Sequence, residues 1–167
     1  SLKAFAVFIK KYPEYKLILV GHGHDKSRLK LLCNELNISK KVIFKNWNNN
    51  IKKYYLVSKV LIFPSLYEGL PNTLIDSINY NLPCISSKCS GAIDILTKKY
   101  GIFTLKNDHI QLSKKIEFVV KNYKKVLRDN NNVKKKLSRF LVKPRVTEYL
   151  EYCKNIYYYF ENKISFG

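Results

Sequence analysis

Val60-Leu-Ile-Phe-Pro-Ser65-Leu-Tyr-Glu68-Gly-Leu-Pro71-Asn-Thr-Leu-Ile-Asp76 is the stretch whose reading decides the fold. Its first residues are apolar on both faces, as in a strand covered from either side. A glycine and a proline then turn the chain into a segment with helical spacing. The same alternation continues outward in both directions. Upstream, Lys16-Leu-Ile-Leu-Val20 leads through Gly21-His-Gly23-His-Asp25 into a helical segment from Lys26 to Leu36, and Val42-Ile-Phe44 precedes another from Ile51 to Ser58. Downstream, Cys84-Ile-Ser86 leads into Ala92 to Lys98, and Ile102-Phe-Thr-Leu105 ends the series. Leu2 to Lys11 and Asn72 to Tyr80 are helical too, and Leu29, Leu32 and Leu36 share one helical face. Strands alternating with helices predict right-handed βαβ crossovers, hence a doubly wound, Rossmann-like α/β domain with about five parallel strands over residues 1–105.

From Asp108 onward the pattern is wholly helical, and residues 106–167 are expected to complete and cover the same domain. Ile110, Leu112, Ile116, Val119 and Val120 fall on one helix, and a polar break is expected at Asp129-Asn-Asn-Asn132. Pro144 suits the first turn of a last helix carrying Tyr149, Tyr152, Ile156 and Tyr159.

The 167 residues are 46% hydrophobic and 14% aromatic, too apolar for a chain that fails to collapse. No run approaches the roughly 20 apolar residues that a membrane span needs. Lys and Arg total 31 against 12 Asp and Glu, a formal charge of +19, so the surface attracts polyanions, nucleotides and anionic headgroups. Only four of the cations are Arg (Arg28, Arg128, Arg139, Arg145), whereas nucleic-acid readers lean on the bidentate Arg fork. Specific nucleic-acid binding is therefore not expected. Cys33, Cys84, Cys89 and Cys153 form no C-x-x-C pair, which suggests free thiols in a reducing compartment rather than a metal site or a disulfide framework. Ser1 to Lys10 lack the apolar core of a secretory leader, and the entry straight into a helical register suggests a piece of a longer chain.

In an open α/β sheet, ligands lie beyond the carboxyl ends of the strands. Gly21-His-Gly23 is the first candidate, since glycine admits a close phosphate; a tight strand-to-helix turn explains the segment equally well. The second is Pro64 to Thr73. Here Gly69 and Pro71 make a turn, and the amides of Leu70 to Thr73 leave a helix start that carries roughly half a positive charge. Glu68 and Asp76 flank that start as hydrogen-bond acceptors for sugar hydroxyls, or else serve as helix-dipole and surface charges. In the third loop, Ser87 or Ser90 could cap the following helix or touch a ligand, and Asp94 is a favourable first-turn charge.

These residues carry a resemblance. Val60 to Ser65, Tyr67-Glu-Gly-Leu-Pro-Asn72, Leu74-Ile-Asp-Ser77, Asn81-Leu-Pro-Cys84 and Ser90-Gly-Ala-Ile-Asp-Ile-Leu96 resemble the donor-binding half of a family-four retaining glycosyltransferase (glycosyl transferases group 1). Ala4-Phe5, Tyr12-Pro13 and Leu17 to Gly23 extend the match upstream, so it runs collinearly from Lys3 to Leu105. The family folds as two Rossmann-like domains facing a cleft, and its Glu, seven residues, Glu signature reads here Glu68, seven residues, Asp76.

The resemblance implies that Glu68 is the catalytic-site group contacting the transferred sugar and that Asp76 contacts the ribose. It implies that the backbone of Gly69, Leu70, Pro71 and Asn72 holds the diphosphate, with Thr73 among the substrate-binding residues, and that Gly21, Gly23, Asn46 and Trp47 line the nucleotide side. Asn46 stands where the family usually has glycine, and Asp76 is a methylene shorter than the usual Glu. The family's diphosphate-neutralising Arg and Lys, on a first strand and loop of this domain, and its N-terminal acceptor domain have no counterpart in this sequence. A fragment inactive by itself is implied. The donor implied is a UDP- or GDP-linked sugar, with no metal and no other cofactor, and the acceptor a glycan or lipid-linked glycan reached through the other domain. The charge and the basic stretch Lys134-Lys-Lys136, Arg139, Lys143, Arg145 fit a cytoplasmic protein peripheral on an anionic membrane, or a solvated helix face. A non-catalytic nucleotide-binding domain and a basic polyanion-binding module are the rival readings.

Overall fold

The computed structural model describes residues 1–47, 50–105, 107–137 and 150–154. Ser1–Val133 form one compact unit and Lys134–Gly167 a second. Five strands alternate with helices in the first: α1 (Leu2–Ile9), β1 (Leu17–Val20), α2 (Lys26–Glu35), β2 (Val42–Lys45), α3 (Lys52–Val57), β3 (Leu61–Phe63), α4 (Asn72–Asn79), β4 (Cys84–Ser87), α5 (Ser90–Tyr100), β5 (Ile102–Thr104) and α6 (His109–Lys121). Helix α7 follows at Tyr123–Lys135. The strand and helix alternation expected from the sequence is present, with a short 3-10 turn at Ser39–Lys41 added before β2.

Every strand pairing is parallel, in two pieces. Strand β1 pairs with β2 in the register Leu17 to Val42, while β3, β4 and β5 form a separate sheet in that order. Strand β4 has partners on both sides and is buried throughout; β1 and β3 are only half-buried. A cleft of about 580 Å³ explains the difference, because its walls include β1 from Leu17 to Val20 and β3 from Leu61 to Phe63.

The core follows from the apolar stripe of α1. Leu2, Ala4, Phe5 and Phe8 are buried in one cluster with Leu112, Ile116 and Val119 of α6, together with Val42, Ile85 and Val126. Burial of each large side chain contributes roughly 1.5–3 kcal/mol, so this helix pair anchors one side of the sheet. Cys33 of α2 is buried there too, with Leu29, Leu32 and Leu36 packed partly against the cluster.

One expectation about the helical region is corrected, the polar break at Asp129–Asn132. Helix α6 ends at Lys121 with Asn122 as its C-cap, whose side-chain amide donates to the Phe118 carbonyl, and α7 then runs unbroken through Asp129–Asn132. Asparagine is only a weak helix former, but Val126 and Val133 are buried on this helix, and packing outweighs propensity. In the second unit, Leu150 to Lys154 are helical and Tyr152 is exposed. Pro144, Tyr149, Ile156 and Tyr159 lie outside the described residues, as do Arg139, Lys143 and Arg145 of the basic stretch.

Candidate functional site

Strand β3 delivers the chain at Phe63 into the loop Pro64–Pro71, which ends at the first turn of α4. Pro71 is the N-cap, with φ −76° and ψ 93°, and its carbonyl accepts from the Leu74 amide at 2.9 Å and the Ile75 amide at 3.4 Å. Proline here sits one residue ahead of the first helical position, Asn72. The amides of Asn72 and Thr73, in the first turn, have no helical carbonyl to bond. Asn72, Thr73 and Leu70 are exposed and Pro71 is buried. The helix start therefore presents donors and partial positive charge outward.

Glu68 and Gly69 line an open hollow of about 630 Å³ together with Leu66, Tyr67, Lys88, Cys89 and Ser90. Glu68 is half-buried, and its carboxylate accepts a hydrogen bond from the Ser65 hydroxyl at 2.9 Å. Tyr67 is 84% exposed at the rim. Lys88 is exposed and has no carboxylate within ion-pairing distance among the described residues. A carboxylate acceptor and an ammonium donor thus share one hollow.

The loop is held from β4 and α5. Ser87 donates to the Ser65 carbonyl at 2.8 Å, Ser90 to the Glu68 carbonyl at 3.3 Å, and the Gly91 amide to that same carbonyl at 3.1 Å. Neither serine makes a side-chain cap to α5, whose N-cap is Cys89; their hydroxyls are spent on the neighbouring loop instead. Asp94 lies in the second turn of α5 rather than the first, because the helix starts at Ser90, ahead of the expected Ala92.

Asp76 occupies a different setting from Glu68. It is exposed on α4, on the side of buried Tyr55, and it contributes to raising that hydroxyl to about 12, after desolvation by burial as the largest cause. Tyr55 stacks on Tyr80 with ring centroids 5.6 Å apart. Thr73, one helical turn before Asp76, lines the cleft between β1 and β3. Behind α4, burial pushes the Cys84 thiol up to about 12, and Ser77 Oγ lies 2.7 Å from its sulfur.

The remaining candidates follow β1 and β2. Gly21 adopts φ +152°, a conformation that side chains resist, and donates to the Lys45 carbonyl at 3.0 Å, tying its loop to the end of β2. Gly23 is exposed with open space around it, and His22 and His24 are exposed. The Asn46 side-chain oxygen accepts from Lys26 Nζ at 3.0 Å, and Trp47 is 57% exposed. Sequence reading missed Ser65 and Lys88. The signal for both was their position, one just past a strand beside the key loop and the other in the loop after the next strand. Among the described residues no cluster of three His, Cys, Asp or Glu could hold a metal ion, and no helix is long and apolar enough to cross a membrane.

Solved structures with the same fold define the class. Anabaena Alr3699/HepE in complex with UDP-glucose superposes with a TM-score of 0.78 at 18% identity, over 90% of this chain and 43% of that one. The C-terminal domain of the glycosyl transferase group 1 family protein LpcC of Francisella tularensis gives 0.72 at 19% identity, over 83% and 75%. The fold is that of one domain of a GT-B glycosyltransferase. The Glycosyl transferases group 1 family matches residues 1–136, and the chain belongs to that family. A Campylobacter jejuni relative, named as an undecaprenol-linked GalNAc-(1→4)-GalNAc-(1→3)-diNAcBac alpha-1,4-N-acetyl-D-galactosaminyltransferase, is 34% identical over 90% of this chain and 42% of its own length. The chain spans about a quarter to two-fifths of the length of the curated relatives it matches.

Proposed function

We propose that this domain binds the donor for a retaining glycosyltransferase, which moves a sugar from a UDP- or GDP-linked diphosphate to an acceptor hydroxyl in cell-surface glycan assembly. The observation that carries the reading is Glu68 in an open hollow with Gly69, a few residues ahead of an exposed helix start. The carboxylate accepts hydrogen bonds from hydroxyls of the transferred sugar. The diphosphate meets the amides of Asn72 and Thr73. As the glycosidic bond breaks, negative charge gathers on the departing diphosphate, and fixed amide dipoles stabilise it without reorganising. Asp76, on the Tyr55 side of α4, takes the ribose hydroxyls, and Gly21, Gly23, Asn46 and Trp47 border the nucleotide. No cofactor besides the donor enters this scheme.

The bound UDP-glucose of the Anabaena structure supports a uridine donor, and the undecaprenol-linked substrate of the Campylobacter relative supports a lipid-linked glycan acceptor. A net charge of +19 favours work at the anionic cytoplasmic face of a membrane. The cleft between β1 and β3 supports a further strand between them. In the doubly wound strand order 3-2-1-4-5-6, the strand that would lie between them has no counterpart among the described residues.

Sugar transfer by the full-length protein, assayed with UDP-, GDP- and ADP-linked donors, tests the reading. Glu68→Gln is expected to lower kcat/KM about 10- to 100-fold, the range for losing hydrogen bonds to a charged group. Unchanged activity in that variant would remove Glu68 from the site.

A further inference from the structure

We propose that the junction of β4 with α5 positions Glu68, through Ser65, Ser87, Ser90 and Gly91. The inference rests on the donor-binding reading of Glu68 and assigns the groups that aim its carboxylate. Two links reach the loop from β4 and α5. Buried Ser87, at the end of β4, donates to the Ser65 carbonyl at 2.8 Å, which fixes the residue whose own hydroxyl then donates to Glu68 Oε1 at 2.9 Å. The second link runs through the backbone: the Gly91 amide and the Ser90 hydroxyl both donate to the Glu68 carbonyl.

Gly91 makes that second link geometrically feasible. A Cβ built there would lie 2.2 Å from the Gly69 carbonyl oxygen and 2.8 Å from that of Glu68, closer than any real contact. Its φ is not in the left-handed region, so the requirement is space and not backbone freedom. Any side chain at 91 pushes the Glu68–Gly69 backbone off the first turn of α5. Glu68 is thereby held at its carboxylate by Ser65 and at its backbone carbonyl by Ser90 and Gly91. Preorganisation of this kind is what a sugar-binding acceptor needs, because an averaged rotamer must be ordered when the donor arrives.

The test compares Ser65→Ala, Ser65→Thr, Gly91→Ala and Glu68→Gln by two measurements. The first is independent of donor: the Hα–Hβ scalar couplings of Glu68 report a single rotamer in the unsubstituted protein and in Ser65→Thr, and averaging in Ser65→Ala. The second is titration with UDP and with UDP-glucose as probes. Ser65→Ala and Gly91→Ala are expected to weaken UDP-glucose about tenfold while UDP changes less than about twofold, and Ser65→Thr is expected to restore the affinity. Should Gly91→Ala fail to fold, the two Ser65 variants decide alone. Unaveraged couplings in Ser65→Ala, with UDP-glucose affinity intact, overturn the proposal. If Glu68→Gln itself binds UDP-glucose as tightly as the unsubstituted protein, the donor reading fails, and the couplings alone then uphold or overturn the positioning role.

Discussion

Thr97 shows at single-residue scale where this fold carries strain. Within α5 it takes φ +60° and ψ 152°, a region essentially reserved for glycine, and kinks the helix before its last turn. Its hydroxyl is buried with no hydrogen-bond partner among the described residues, and its carbonyl accepts from the Gly101 amide at 2.9 Å. A β-branched residue in that backbone state costs about 1–3 kcal/mol, and the unpaired hydroxyl adds to it. Glycine removes both costs but introduces about 0.5–1 kcal/mol of chain entropy. Thr97→Gly is therefore expected to stabilise the protein by about 1 kcal/mol, seen as a rise of about 2–4 °C in a thermal melt; a fall in Tm would show the kink to be unstrained. The sequence signalled a helix here but gave no sign of the kink, because a threonine among helix formers looks like any other weakly favoured residue. Gly91 was hidden for a similar reason. Glycine ahead of a helix reads as a turn or cap, and only the neighbouring loop reveals that its missing side chain is what matters.

Between elements, Glu117 joins α6 to the segment that follows α1. Its Oε1 lies 2.7 Å from both Lys11 Nζ and Lys121 Nζ, and the Tyr12 hydroxyl donates to it at 3.3 Å. Hydrogen bonds from Lys11 and then Lys121 hold the carboxyl down at about 2, against 4.5 for a free Glu. A carboxyl depressed in the folded state contributes stability that is present above pH 4.5 and disappears as pH falls toward 2. The same contact raises Lys121, whose share is present at neutral pH and disappears on the alkaline side of 10.5. Thermal melts from pH 6 down to pH 2 are expected to show Glu117→Gln losing less stability across pH 4.5 to 2 than the unsubstituted protein. Parallel curves for the two would place the acid sensitivity elsewhere. The pairing itself was not legible in the sequence. Apolar periodicity announced α1 and α6 through Phe5, Phe8, Leu112 and Ile116, whereas an ion pair spanning 106 positions leaves no periodic trace. The Asn130 region misled for the opposite reason: local propensity spoke for a break, and Val126 with Val133 overruled it.

At the scale of the molecule, the strands were legible because each is a short apolar run between turn residues, but a run does not say which strands are neighbours. The division into β1–β2 and β3–β4–β5 is visible only in the pairing, and the backbone shows its consequence. Successive amides of a strand point to opposite edges. The Gly21 amide donates toward β2 and the Leu61 amide toward the Pro83 carbonyl before β4, so those of Ile18, Val20 and Ile62 point the other way, to the cleft. In native-state hydrogen exchange these three are expected to exchange fast, and Leu19 and Phe63, on the paired edges, slowly. Strand β4, paired on both sides, supplies the slow reference. If a further strand occupies the cleft in the full-length protein, the same three amides there gain about 100-fold protection or more, equivalent to about 3 kcal/mol of opening free energy. Fast exchange of Ile18 and Ile62 in the full-length protein would leave the cleft open to solvent and withdraw the added strand. The donor hollow is independent of that outcome, since Glu68, Lys88 and Ser90 are held by β3, β4 and α5 on the intact side of the sheet.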